Sequence, residues 1–239
     1  MSRRLVSSPA IALLLLAAGC ASFPAPTPYV LEIVDRIPAP PGPFVRVRGK
    51  VTLSSAWLSG TFTGAMVVRG GADPAVRLKC FPDLGGKALD MLVQPSRIVG
   101  YVPALNQGCD VAMPASEAPN PVTMMGVSML EFYAPVTRER VLGARPEGDG
   151  WWLLLRPIVQ GVRVMVRLEP DGRISRKRFE WNHGVRWEEE LPSSGALVFR
   201  SLGVELRVEQ SEAAVVDSVP GAIFELALPA GTKPIEMPR

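Results

Sequence analysis

Between Phe44 and Val102 apolar and polar residues alternate with a period of two, and turn residues interrupt the alternation at short intervals. Val45, Val47, Val51 and Leu53 alternate with Arg46, Arg48, Lys50 and Thr52, the pattern of a strand with one buried and one wetted face. After Ser59-Gly60 the pattern resumes with Phe62, Met66 and Val68 on one face. After Gly70-Gly71 it resumes with Val76, Leu78 and Cys80 set against Arg77 and Lys79. Leu89, Met91 and Val93 follow Gly85-Gly86, and a last run covers 98–102. Five short strands with tight connections predict an antiparallel meander.

The middle of the chain breaks this period. Residues 105–119 read as a loop. Asn120-Pro121 then supplies an N-cap followed by proline at the first helical position, so 122–133 reads as a short apolar helix. Another turn or two falls within 135–142. Strands return at 151–156 and 162–168, and Glu169-Pro170-Asp171-Gly172 is a hairpin signal, because Asp-Gly tolerates the positive φ of a tight turn. Strands are expected at 174–181, 186–191, 197–200, 204–208 and 224–228, about ten or eleven in all. With 24 Pro and 22 Gly, the composition suits many short strands better than a helical bundle.

The N-terminus fixes an address. Arg3 and Arg4 precede an apolar run from Ile11 to Ala18, a secretory signal too short to span a membrane. Leu16-Ala17-Ala18-Gly19-Cys20 resembles the bacterial lipoprotein signal. That likeness implies that residues 1–19 are removed and that Cys20 is diacylated as the first residue. Ala21 after the cysteine lacks the Asp associated with retention in the inner membrane, so the implied location is the outer membrane, facing the periplasm. Prolines at 24, 26, 28, 38, 40, 41 and 43 make 20–43 a semi-rigid tether. Within it Tyr29–Ile37 has helical spacing but is short, so it needs a surface to pack on. Residues 44–239 are then one domain.

Two of the three net positive charges sit at Arg3 and Arg4, and no basic stripe with interleaved aromatics is present, which argues against a nucleic-acid partner. Apart from Cys20 two cysteines remain. Cys80 and Cys109 are either a disulfide, plausible in an oxidising compartment, or two separate buried thiols. Without CxxC spacing or a nearby His they make no redox or zinc site. The one histidine, His183, has no nucleophile context, and no metal, cofactor or catalytic set is expected. Glu188-Glu189-Glu190 reads as a solvated strand edge, and Arg173, Arg176, Lys177 and Arg178 as a solvated basic face.

The order of lipoprotein signal, short amphipathic helix, strand meander, helical insertion and second strand run resembles the LolA and LolB lipoprotein-sorting proteins, above all the LolB-like outer-membrane lipoproteins. Residues 44–53 resemble their first strand, and 220–229 their closing strand. Phe81-Pro82-Asp83-Leu84-Gly85-Gly86 resembles the loop where LolB places a membrane-touching leucine. The resemblance implies a mainly β fold, an incomplete antiparallel β-barrel whose concave apolar face is covered by helices and accepts acyl chains. Val51, Leu53, Phe62, Met66, Leu78 and Met91 would then line the cavity, and Leu84, helped by Phe81, would meet the bilayer. The implied partners are the membrane through the N-terminal lipid, an acylated lipoprotein or other lipid, and a periplasmic carrier protein. The alternative is an accessory envelope lipoprotein with a filled core that docks to another complex.

Overall fold

The computed structural model describes residues 23–38, 42–55, 58–71, 73–113, 120–181, 184, 186–191, 196–201 and 204–235. The signal segment, Cys20 and His183 lie outside them. The expected meander is present as β1 (Phe44–Ser54), β2 (Gly60–Arg69), β3 (Ala75–Phe81), β4 (Leu89–Gln94) and β5 (Arg97–Val102), each antiparallel to the next. Burial follows the alternation: Val47, Val51 and Leu53 are buried, whereas Arg46, Arg48 and Lys50 are exposed.

Part of the expected loop over 105–119 is instead a sixth strand, β6 (Gln107–Ala112), antiparallel to β5. Its Gly, Cys and Ala residues carry too little apolar contrast to show the period. A helix, α2 (Pro121–Tyr133), follows α1 (Pro28–Asp35) as the second α-helix among the described residues. The second strand run forms its own sheet from β7 (Val141–Glu147), β8 (Gly150–Leu155), β9 (Val162–Leu168), β10 (Ile174–Trp181) and β11 (Arg186–Glu190), paired in sequence order. The predicted hairpin joins β9 to β10, with Gly172 at φ +85°. β12 (Ala196–Ser201) and β13 (Val204–Val216) rejoin the first sheet, where β13 pairs with β1. β14 (Lys233–Pro234) closes the other edge, parallel to β6.

The expected strand at 224–228 is not formed. Residues 221–224 make a 3₁₀ turn, and the following segment runs as a strap across the outer face of the first sheet. There Phe224 stacks on Phe44, and Ile223 and Leu226 pack with Val67, Ala75 and Leu92. The strap's Glu225 carbonyl accepts a bond of 2.8 Å from Arg77, which also pairs with buried Asp90 at 2.7 Å. A segment bonded to side chains and not to a strand edge leaves no ladder to recognise.

The described residues thus form fourteen strands in two sheets, and among them the sheets do not close on each other. This is a mainly β, incomplete antiparallel barrel, with its largest apolar cluster on the concave side. Of the two readings of Cys80 and Cys109, the structure has the separate thiols. β4 and β5 lie between Cys80 on β3 and Cys109 on β6, three strand spacings or about 14 Å, twice the reach of a bridge. Both thiols are free.

Candidate functional site

The concave face and the helix it receives form the candidate site. α2 starts where the sequence predicts, with the Asn120 side chain accepting from Thr123 N at 2.9 Å and Pro121 in the first turn. It ends at Tyr133 because Pro135 disfavours helical backbone at Ala134. Val122, Met124, Met125, Val127, Met129 and Leu130 are buried and point around the whole helix, so α2 has no wetted face. Gly126 allows the closest approach: a Cβ there would lie 2.3 Å from Ile98 Cδ1 and 3.2 Å from Val93 Cγ1. α1 covers a neighbouring part of the core with Val30, Ile33 and Val34, held at its start by Thr27.

All six residues expected to line a cavity, Val51, Leu53, Phe62, Met66, Leu78 and Met91, belong to this concave core and are buried. The structure brings them together, but α2 occupies much of the space they enclose. A void of about 10 Å³ remains between Leu53, Met91, Cys109, Met125, Leu206 and Ile235, room for one water. A larger apolar cleft of about 130 Å³ lies where the β2–β3 turn meets the end of α2, walled by Val68, Val76, Leu130, Tyr133, Pro135 and Ile158. Both fall below the roughly 300 Å³ at which ligand pockets begin.

A buried charged rim holds the helix, and the sequence reading missed it. Glu131 of α2 accepts from Arg140 at 2.6 Å and from Ile158 N at 2.8 Å, and its backbone carbonyl accepts from Lys177 Nζ. Lys177 also lies 5.3 Å from the Phe132 ring centroid. Glu189 is the register partner of Lys177 across β10 and β11, and both point into the core. The solvated face and edge expected for these runs are therefore corrected. Arg176, Arg178, Glu188 and Glu190 pair on the outer face, while Lys177 and Glu189 point inward. The available signal was the period of two, which puts Lys177 with Phe179 and Trp181, and Glu189 with Trp187.

Burial pushes the Glu189 carboxyl up to about 7, against the opposing pull of Ser128 and Lys177. Burial likewise pushes Lys177 down to about 8, against the attraction of Glu131 and Glu189. Folded Glu189 keeps its proton where the unfolded chain has released it. Its contribution to stability is complete below pH 4.5 and is lost as pH rises through about 7. Lys177 has the opposite sign, with its contribution complete above pH 10.5 and lost as pH falls through about 8. Glu189→Gln removes the first effect together with the attraction that charged Glu189 exerts on Lys177, which offsets part of the gain. The variant should melt with the parent near pH 4.5 and about 2–6 °C above it by pH 8 in thermal denaturation. Parallel pH profiles would show that Glu189 ionises at its ordinary value.

The loop Phe81-Pro82-Asp83-Leu84-Gly85-Gly86 protrudes between β3 and β4. Gly85 N bonds back to Pro82 O at 3.0 Å, and Gly85 and Gly86 take φ of +87° and +80°, which glycine adopts without strain. The turn leaves Leu84 at 102 % relative exposure, while Phe81 is half-buried at its base. These two residues therefore sit apart from the concave lining.

No protein-family model matches the sequence, and no curated protein sequence matches it. Solved structures do match. A domain from Vibrio parahaemolyticus, described as that of an outer-membrane lipoprotein-sorting protein, is 13 % identical with a TM-score of 0.52, over 81 % of this chain and 95 % of that one. A LolA superfamily protein from Nitrosomonas europaea is also 13 % identical, with a TM-score of 0.50 over 82 % and 96 % of the two chains. At this identity what is shared is the fold.

Proposed function

We propose that this chain, which has the fold of LolA-superfamily structures, is an outer-membrane lipoprotein that receives an acyl chain on its concave face. It is anchored through acylated Cys20, faces the periplasm, and assists the reception and insertion of a lipoprotein or lipid handed over by a periplasmic carrier. The observation that carries this reading is the seat of α2. An apolar helix lies in an apolar half-barrel, touching β4 and β5 through Gly126 and held at its end by a few charged groups. Withdrawal of α2 would leave an apolar trough lined by Val51, Leu53, Phe62, Met66, Leu78 and Met91. Leu84 would then enter the bilayer beside the released chain. The reading assigns binding and transfer, not catalysis.

The test has two parts on the purified full-length chain. Saturable uptake of an apolar fluorescent dye, displaced by a long-chain acyl ester, is the expected result for the trough. Leu84→Glu should leave the melting temperature within about 1 °C, since an exposed side chain contributes little to stability. The same variant should abolish transfer of an acylated lipoprotein to outer-membrane vesicles. Normal transfer by this variant would remove the loop from the mechanism. The smallness of the void beneath α2 among the described residues, about 10 Å³, favours a second reading, an accessory lipoprotein with a permanently filled core. Failure of any dye or ester to bind would select that reading.

A further inference from the structure

Tyr133 forms part of the wall of the cleft at the end of α2, and its hydroxyl is a polar group that nothing else in the described structure uses. The walls of the cleft are mostly apolar, and its polar side chains are Arg69, Arg140 and Tyr133. Arg140 is fully engaged, donating to Glu131 at 2.6 Å, to Pro135 O at 3.0 Å, and to Arg156 O at 2.9 and 3.1 Å. Arg69 is engaged with both the backbone and the carboxylate of Asp73, and its guanidinium lies 4.7 Å from the Phe224 ring centroid. The Tyr133 hydroxyl is buried and has no hydrogen-bond partner among the described residues. Burial raises its pKa above the ordinary phenol value, so the group stays a neutral donor.

We infer that Tyr133, its hydroxyl uncovered as α2 gives way, reads the head of the ligand by donating a hydrogen bond to the carbonyl oxygen of a neutral acyl ester or amide seated in this cleft. The inference rests on the acyl-binding reading above and specifies which acyl compounds it covers. A buried donor without an acceptor is a standing deficit that an incoming carbonyl removes. A carboxylate or phosphate would instead bring a charge into an apolar cleft whose two cations are already committed, one of them beside the Asp73 carboxylate. The cleft of about 130 Å³ holds the carbonyl and the first few methylenes, and the rest of the chain continues along the concave face as α2 gives way.

The experiment measures displacement of bound N-phenyl-1-naphthylamine from the full-length chain by methyl laurate and by sodium laurate at pH 8, for the parent and for Tyr133→Phe. The parent should bind the ester about tenfold more tightly than the carboxylate. The variant should lose about five- to tenfold for the ester and nothing for the carboxylate, the effect of one hydrogen bond. Its melting temperature should stay level or rise, because an unpaired buried hydroxyl has been removed. Equal ester affinity in the two proteins would overturn the role of Tyr133 while leaving acyl binding standing. A marked fall in melting temperature would also overturn it, by revealing a partner for the hydroxyl within the chain. If neither dye nor ester binds the parent, the inference falls together with the reading it rests on.

Discussion

Glu131→Ala should lower the unfolding free energy by about 3–5 kcal/mol, the range for removing one partner of a buried ion pair. Glu131 is only 1 % exposed, and three connections converge on it. Its carboxylate receives Arg140 and the Ile158 N–H, which tie the end of α2 to the segments flanking β7 and β8. Its carbonyl receives Lys177 from β10. The alanine variant keeps the carbonyl, but it strips the Ile158 N–H of its acceptor and leaves Arg140 with backbone carbonyls alone. Glu131→Gln retains an acceptor for Ile158 and should cost about half as much. Urea denaturation of the three proteins checks the order. An alanine variant within 1 kcal/mol of the parent would mean that the rim does not hold the helix.

The second large effect concerns motion. Ile98→Cys combined with Gly126→Cys should give a chain that loses acyl uptake about 100-fold or more when oxidised and regains it on reduction, because the bond removes the binding-competent population. The positions suit a cross-link. A Cβ at 126 would meet Ile98 Cδ1 at 2.3 Å and Cγ1 at 3.0 Å, and the cysteine at 98 removes the atom nearest to it. The native thiols should stay out of the exchange. Burial pushes Cys80 up to about 12 and Cys109 up to about 11, so neither forms the thiolate that attacks a disulfide. Dye titration with and without reductant reads the result. Undiminished uptake by the oxidised protein would show that an acyl chain binds without displacing α2.

Both experiments turn on features of unequal legibility in the sequence. The inward face of Val51, Leu53, Phe62, Met66, Leu78 and Met91 was readable because apolar residues recur at every second position along β1 to β4, and a period of two assigns each residue to a face without reference to any other strand. The start of α2 was readable because Asn120 and Pro121 satisfy the first helical turn locally. The rim was not. Lys177 stands in a run of arginines and Glu189 between two glutamates, so by composition each looks like its neighbours. What separates them is one step of the pleat. Tyr133 carried no signal either, since whether a hydroxyl finds a partner depends on Pro135, Arg140 and Ile158 packing around it.

The sequence by itself determined the elements made by near neighbours: the meander, the Glu169–Gly172 hairpin, the capped helix and the glycine turn that exposes Leu84. Their causes act over a few residues, through backbone preference and alternation. Only the tertiary structure decided how distant segments share space. It set two strands between Cys80 and Cys109 and laid the C-terminal strap across the outer face of the first sheet. It also seated α2 inside the half-barrel, filling the space that an alternating sheet merely outlines. Strand alternation says which side chains face inward. Whether the space they face is empty depends on the volume of a helix from elsewhere in the chain.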